Sequence, residues 1–148
     1  MAKSCYEYAI NLISKYPKTE KELQIKLYQK GYDSEMVQKT LERLKSDNFV
    51  NDELFAESYL NSEVMKKWKP LFIIVQKLIQ KGIDKSLLKE ITSKYDEDIQ
   101  KWIYWWIKKE ISKYKKKGVE GFDIIQKLMR KGYKLGDIST VLKSKEQD

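Results

Sequence analysis

Histidine is absent from this 148-residue chain, cysteine occurs once and proline twice. Without imidazole the chain lacks the usual general base near neutral pH, the commonest zinc ligand and every triad that depends on histidine. A single thiol, Cys5, can build neither an intrachain disulfide nor a cysteine metal cluster. Catalysis would have to rest on carboxylates or lysines, and these mostly alternate at helical spacing, the pattern of solvated, ion-paired helix faces. The chain is therefore expected not to be an enzyme and to carry no cofactor or metal. Long hydrophobic runs are missing as well: Leu71 to Val75 is an apolar run of five residues, far short of the ~18 a membrane span needs. Met1-Ala2-Lys3-Ser4 leads straight into an amphipathic pattern, without the apolar core of a secretory signal. A cytoplasmic protein without membrane attachment is expected.

What is present is a motif written three times. Leu27-Tyr28-Gln29-Lys30-Gly31-Tyr32, Leu78-Ile79-Gln80-Lys81-Gly82-Ile83 and Leu128-Met129-Arg130-Lys131-Gly132-Tyr133 share one pattern, and their glycines are 51 and 50 residues apart. A near-constant period of this length marks a repeat architecture. Each motif reads as a helix end: glycine takes the left-handed terminating conformation, lysine favours the negative end of the dipole, and the next apolar residue folds back onto the last turn. A phosphate-binding loop would instead place several glycines before a helix.

Apolar residues at helical spacing on both sides of each motif complete a three-helix unit. Met36, Val37, Leu41 and Leu44 follow the first glycine, Leu87, Leu88 and Ile91 the second, and Ile138, Val141 and Leu142 the third. Asp33 and Asp84 stand at N-cap positions, Thr19 with Glu22 forms a capping box, Asn51 or Asp52 can cap the fourth helix, and Pro70 suits the first turn of the fifth. Helices are expected at roughly 4–15, 19–30, 34–46, 52–67, 70–81, 85–94, 97–117, 122–131 and 135–143. The fold class is all-α: three tandem three-helix repeats over 1–48, 49–95 and 96–148, forming an elongated, curved array.

These residues resemble the RecX family of bacterial recombination regulators, and the resemblance covers nearly the whole chain. It rests on Tyr8-Ala9, on Thr19-x-x-Glu22-Leu23-x-x-Lys26-Leu27-x-x-Lys30-Gly31-Tyr32, on Leu41-x-x-Leu44, and above all on Phe49-Val50-Asn51-Asp52-Glu53-x-Phe55-Ala56-x-x-Tyr59. The resemblance implies stacked three-helix repeats, binding to the RecA recombinase filament on single-stranded DNA, and modulation, most often inhibition, of its recombinase, ATPase and coprotease activity. The setting it implies is recombination, DNA repair and the SOS response. The chain departs from the family pattern where Glu63 replaces a frequent arginine, where Trp68-Lys69-Pro70 replaces a glycine-rich joint, and where Phe72 takes a basic position. Asp52, Phe55 and Ala56 are read as structural: Asp52 caps or charges a helix start, Phe55 enters the core and Ala56 allows close helix packing. Gly31, Gly82 and Gly132 are read the same way.

Basic charge is concentrated at one end. The formal charge is +2 over residues 1–50, −1 over 51–100 and +7 over 101–148. Lys108, Lys109, Lys113, Lys115, Lys116 and Lys117 load the end of the seventh helix, and Lys127, Arg130, Lys131 and Lys134 load the next. Helix-end capping explains some of them; the set as a whole fits a patch for a polyanion or an acidic protein surface. On a wheel of 100° per residue, Trp106 falls on the apolar stripe of Ile99, Ile103 and Ile107, whereas Trp105 points away from it. Trp105 is then a binding anchor, the filling of the junction between repeats two and three, or a platform for stacking on a base. The expected partner is a RecA-type filament met by a monomer, with direct contact to single- or double-stranded DNA a further expectation. The alternative is a helical nucleic-acid-binding module with no recombinase partner.

Overall fold

The structure, a computed structural model, describes residues 4–146. Met1 to Lys3, part of the reading of a start without a secretory leader, lie outside the described residues. Every described element is helical: α1 Cys5–Lys15, α2 Glu20–Lys30, α3 Ser34–Ser46, α4 Asp52–Asn61 running into a π-helical turn Ser62–Lys66, α5 Leu71–Gln80, α6 Lys85–Lys94, α7 Asp96–Lys116, α8 Gly121–Lys131 and α9 Leu135–Glu146. No strand occurs among the described residues, and no helix there is long and apolar enough to cross a membrane.

Local chemistry sets most of the ends. Thr19 and Glu22 form the expected capping box, with the Glu22 N–H on Thr19 Oγ1 and the Thr19 N–H on Glu22 Oε1, both at 3.1 Å. Asp33 accepts from Met36 N–H at 2.8 Å, and Asp84 accepts from both the N–H and the hydroxyl of Ser86. The three motif glycines have φ of 106°, 95° and 104°. At each, the glycine N–H and the N–H of the following residue reach back to the last turn, as in Gly82 to Ile79 at 2.9 Å and Ile83 to Leu78 at 3.0 Å. This is the doubly bonded helix end that a left-handed residue permits.

Burial follows the same register. Leu23, Ile74 and Ile124 are buried, as are Leu27, Leu78 and Leu128, then Val37, Leu88 and Ile138, and finally Thr40, Ile91 and Val141. The repeat thus extends from helix ends to core positions, which is the condition for three like modules to bury like faces.

The chain divides into two compact units: Met1–Tyr59 with Val75–Ile91, and Leu60–Ile74 with Thr92–Asp148. In the first, the core is Cys5, Ala9, Leu23, Leu27, Val37, Leu41, Leu44 and Val50, so the only cysteine is an interior side chain. In the second, the core gathers Ile107, Ile111, Ile124, Leu128, Tyr133, Ile138 and Val141, with Trp68, Trp106 and Tyr114 against it.

The structure departs from the sequence reading in the fourth helix and decides between the two caps offered for it. The fourth helix does not run evenly to residue 67, because its last turn widens into the π-helical segment. There Glu63 and Val64 are both buried; the Glu63 carboxylate meets Lys69 Nζ at 3.1 Å and Lys67 Nζ at 3.8 Å. The cap of α4 is Asn51, whose Oδ1 takes the Leu54 N–H at 3.0 Å. Asp52 caps a different helix: its Oδ1 accepts the Glu20 N–H at 2.9 Å at the start of α2.

Candidate partner-binding surface

The ten cations and the tryptophan named for a partner all belong to the second unit, on α7 and α8 and, for Lys117 and Lys134, just past their ends. The long α7 forms because three acidic residues, Asp96, Glu97 and Asp98, occupy its first turn and basic residues its last, an order that suits the helix dipole. Its apolar stripe buries Ile99, Ile107 and Ile111. The opposite face is left to Lys108, Lys109, Lys113, Lys115 and Lys116, all exposed, followed by exposed Lys117. Lys127, Arg130 and Lys131 are likewise exposed on α8, which packs on α7.

Trp105 and Trp106 separate as the helical wheel requires. Trp106 is half-buried, and its Nε1–H donates to the Val64 carbonyl at 2.8 Å. Trp105 is 51% exposed and meets Trp106 edge-on at 5.0 Å between ring centroids. Lys109 Nζ stands 4.5 Å over the Trp105 ring, a cation–π contact that holds both side chains in one pose.

The cations are not equivalent. Lys131 is hydrogen-bonded to Glu110 and sits 5.4 Å over the Tyr114 ring. The bond to Glu110, working against some desolvation, raises the Lys131 pKa above the usual lysine value. Lys131 is therefore committed to the fold, a pairing across 21 positions that helical spacing does not reveal. Beside it, Gly118, Val119, Glu120, Asp123, Gln126, Lys127 and Arg130 line a shallow, mostly polar groove.

The family-motif residues fall in the first unit. Ala56 is buried, but Phe55 does not enter the core. It is half-exposed, stacked on Tyr59 with centroids 6.3 Å apart, and both line an apolar groove of about 450 Å³ together with Ile13, Pro17, Phe49 and Leu54. Lys81 Nζ stands 6.0 Å from the centroid of the Phe55 ring. Asp52 is half-buried against α2, and desolvation, the largest influence, raises its pKa despite the bond from Glu20 N–H. No group of three or more His, Cys, Asp or Glu side chains able to hold a metal occurs among the described residues.

Comparison with known proteins gives one consistent pattern. Residues 5–44 match the family model described as RecX, first three-helix domain. The regulatory protein RecX of Clostridium perfringens (strain 13 / Type A) is 33% identical over 134 residues, 87% of this chain and 62% of that protein. The regulatory protein RecX of Clostridium botulinum (strain Alaska E43 / Type E3) is 32% identical over 144 residues, 94% of this chain and 67% of that protein. The chain thus spans between 52% and 67% of the length of such curated relatives. The crystal structure of RecX from Lactobacillus salivarius superposes with a TM-score of 0.78 at 22% identity, covering 97% of this chain and 96% of that one; this is a likeness of fold.

Proposed function

The chain belongs to the RecX family of regulatory proteins, and we propose that it acts by binding a RecA-type recombinase filament on single-stranded DNA and restraining the filament's activity. The role is that of a cytoplasmic binding protein, not an enzyme. Its three modules, 1–48, 49–95 and 96–148, offer like surfaces at regular intervals to a polymer whose subunits also recur. Several weak contacts then add through effective concentration. Bound in this way, the protein hinders filament extension or access of substrate.

The observation that carries this reading is the exposed lysine face of α7, with Trp105 held beside it by Lys109. An exposed aromatic side chain with a cation over its ring is the composition of an interface anchor, and the charge steers it toward an acidic or phosphate-bearing surface. The test is co-sedimentation with filaments of RecA on single-stranded DNA, together with the filament ATPase. The parent protein should slow the ATPase at less than one copy per recombinase subunit. Reversing Lys108, Lys109, Lys113 and Lys116 to glutamate should remove co-sedimentation while leaving the far-ultraviolet circular dichroism unchanged. Undiminished binding by that variant sinks the assignment of the surface.

The same cations support a second reading, a nucleic-acid-binding module without a recombinase partner. Such a protein would prefer naked single-stranded DNA to coated DNA and lose affinity steeply with salt, because each neutralised phosphate releases counterions. A filament regulator prefers the coated strand.

A further inference from the structure

One contact is made twice inside the chain, once in each unit. In the first, the start of α2 lies on the end of α5: Thr19 Oγ1 donates to the Lys81 carbonyl, Glu22 Oε2 meets Lys81 Nζ at 3.5 Å, and the Lys21 side chain covers Gly82 so closely that an added Cβ would collide with Lys21 Cβ. In the second, Pro70, preceding α5, covers Gly132 at the end of α8, where an added Cβ would stand 2.5 Å from Pro70 Cγ. Thr19 and Pro70 are 51 residues apart and Gly82 and Gly132 are 50 apart, so both contacts bring the start of a second helix to the glycine end of the next, although the covering side chains differ in register: Lys21 over Gly82, and Pro70, the counterpart of Thr19, over Gly132. The start of a second helix seats on the glycine end of the second helix one repeat later.

Each half of this contact also occurs without its counterpart. Gly31 ends α2 in the same left-handed conformation, and nothing lies within 4 Å of the position its Cβ would take. The start of α8 carries Glu120, Phe122 and Asp123 at the register of Thr19, Lys21 and Glu22. Phe122 is 71% exposed, and Asp123 is exposed too. Lys30, exposed before Gly31, stands at the register of Lys81. The charges are complementary in the sense already realised once: acidic Asp123 for Glu22, basic Lys30 for Lys81.

We propose that a second copy of this chain completes the contact, with the start of α8 in one copy seated on the Gly31 end of α2 in the next, Phe122 covering the glycine and Asp123 facing Lys30. The surface is heterologous, so each copy keeps one half free and the association is head to tail. A helix end on a helix end covers far less than the roughly 1,200 Å² of stable interfaces. The association is accordingly weak, with a dissociation constant of about 0.1–1 mM. The expectation of a monomer holds at low concentration and gives way as concentration rises. This inference stands apart from the recombinase reading, since it involves none of the α7 lysines.

The test is sedimentation equilibrium of the chain from about 10 µM to 1 mM near physiological salt. The weight-average mass should climb above the 17.7 kDa of one chain without a plateau at two copies. Phe122→Ser, Lys30→Glu and Asp123→Lys should each weaken association about five-fold or more, and the Lys30→Glu/Asp123→Lys double variant should regain part of it by restoring the pair in reverse. All three positions are exposed, and circular dichroism checks that the folds match. A mass fixed at one chain throughout the range overturns the proposal. So does association that none of these changes alters, because another surface would then be responsible.

Discussion

The joint at Gly82 and the joint at Gly132 occupy one place in the repeat and are held by different chemistry. At Gly82 the contact is polar: the buried Thr19 hydroxyl on a carbonyl, Glu22 against Lys81, and Asp52 on the first N–H of α2. At Gly132 it is apolar: Pro70 over the glycine, and Trp68 stacked on Tyr133 with centroids 3.7 Å apart and planes 22° apart. The register decides where a joint forms because both glycines must be approached by a chain segment and both must adopt positive φ. The side chains that close the joint are then free to differ. Burial beneath that stack pushes the Tyr133 hydroxyl pKa upward; that of Tyr32, at the same register in the first unit and only partly buried, is also raised, with desolvation again the largest cause.

The largest effect should come from adding one methyl group. Gly132→Ala meets both positive φ and the rigid Pro70 ring, and should cost about 3–4 kcal/mol, whereas Gly31→Ala meets only the backbone penalty of about 1 kcal/mol. Urea denaturation of the two variants decides this, and equal costs would mean that Pro70 yields freely. Next, Trp68→Ala should cost about 3 kcal/mol from lost burial and stacking, against less than about 0.5 kcal/mol for Pro17→Ala at the equivalent exposed position. Trp68 itself has φ of 29°. Trp68→Gly should therefore be milder than Trp68→Ala by about 1 kcal/mol although it loses the same ring.

Thr19→Val, which keeps the shape and removes both hydrogen bonds, should cost about 2 kcal/mol. All four tryptophans, at 68, 102, 105 and 106, lie in the second unit. Thr19→Val should then shift the transition seen by circular dichroism more than that seen by tryptophan fluorescence. Coincident shifts would show that the units unfold as one, and the contrast between joints would lose its energetic meaning.

The smallest effect concerns Asp52. Because its folded pKa is raised, the native state holds the proton to higher pH than the unfolded chain does. The corresponding stability is fully present below the unfolded value and is lost as pH rises through the folded one. Asp52→Asn keeps an acceptor for Glu20 N–H and removes the charge. Its stability relative to the parent should improve from about pH 3 to pH 6, by less than about 1 kcal/mol because the group is half in solvent. A flat difference between the two proteins across that range would refute the assignment.

How far the fold could be read from sequence follows from how local each determinant is. The nine expected helices recur among the described residues with ends moved by three residues or fewer, apart from α4, whose regular part stops at Asn61 before the π-helical turn, and Thr19, Asp33, Asp84 and the motif glycines act where spacing places them, since a cap needs only its own first or last turn. The loan of Asp52 to α2 and the Trp68–Tyr133 stack are hidden because each depends on a partner 30 or more residues away, and the π-helical turn, where Glu63 and Val64 are both buried, leaves no mark in the spacing. For the candidate surface, helical geometry separated Trp105 from Trp106 and placed the lysines outward. It could not show that Glu110 had claimed Lys131.

The interior position of Cys5 has a practical corollary. A lone thiol in the core of the first unit reacts with a maleimide or disulfide reagent only when that core opens, so its labelling rate clocks the breathing of α1 against α2 and α3. The indoles signal independently from the other unit. The molecule is thus born with two native reporters, one chemical and one optical, and either can be followed without engineering a probe into it.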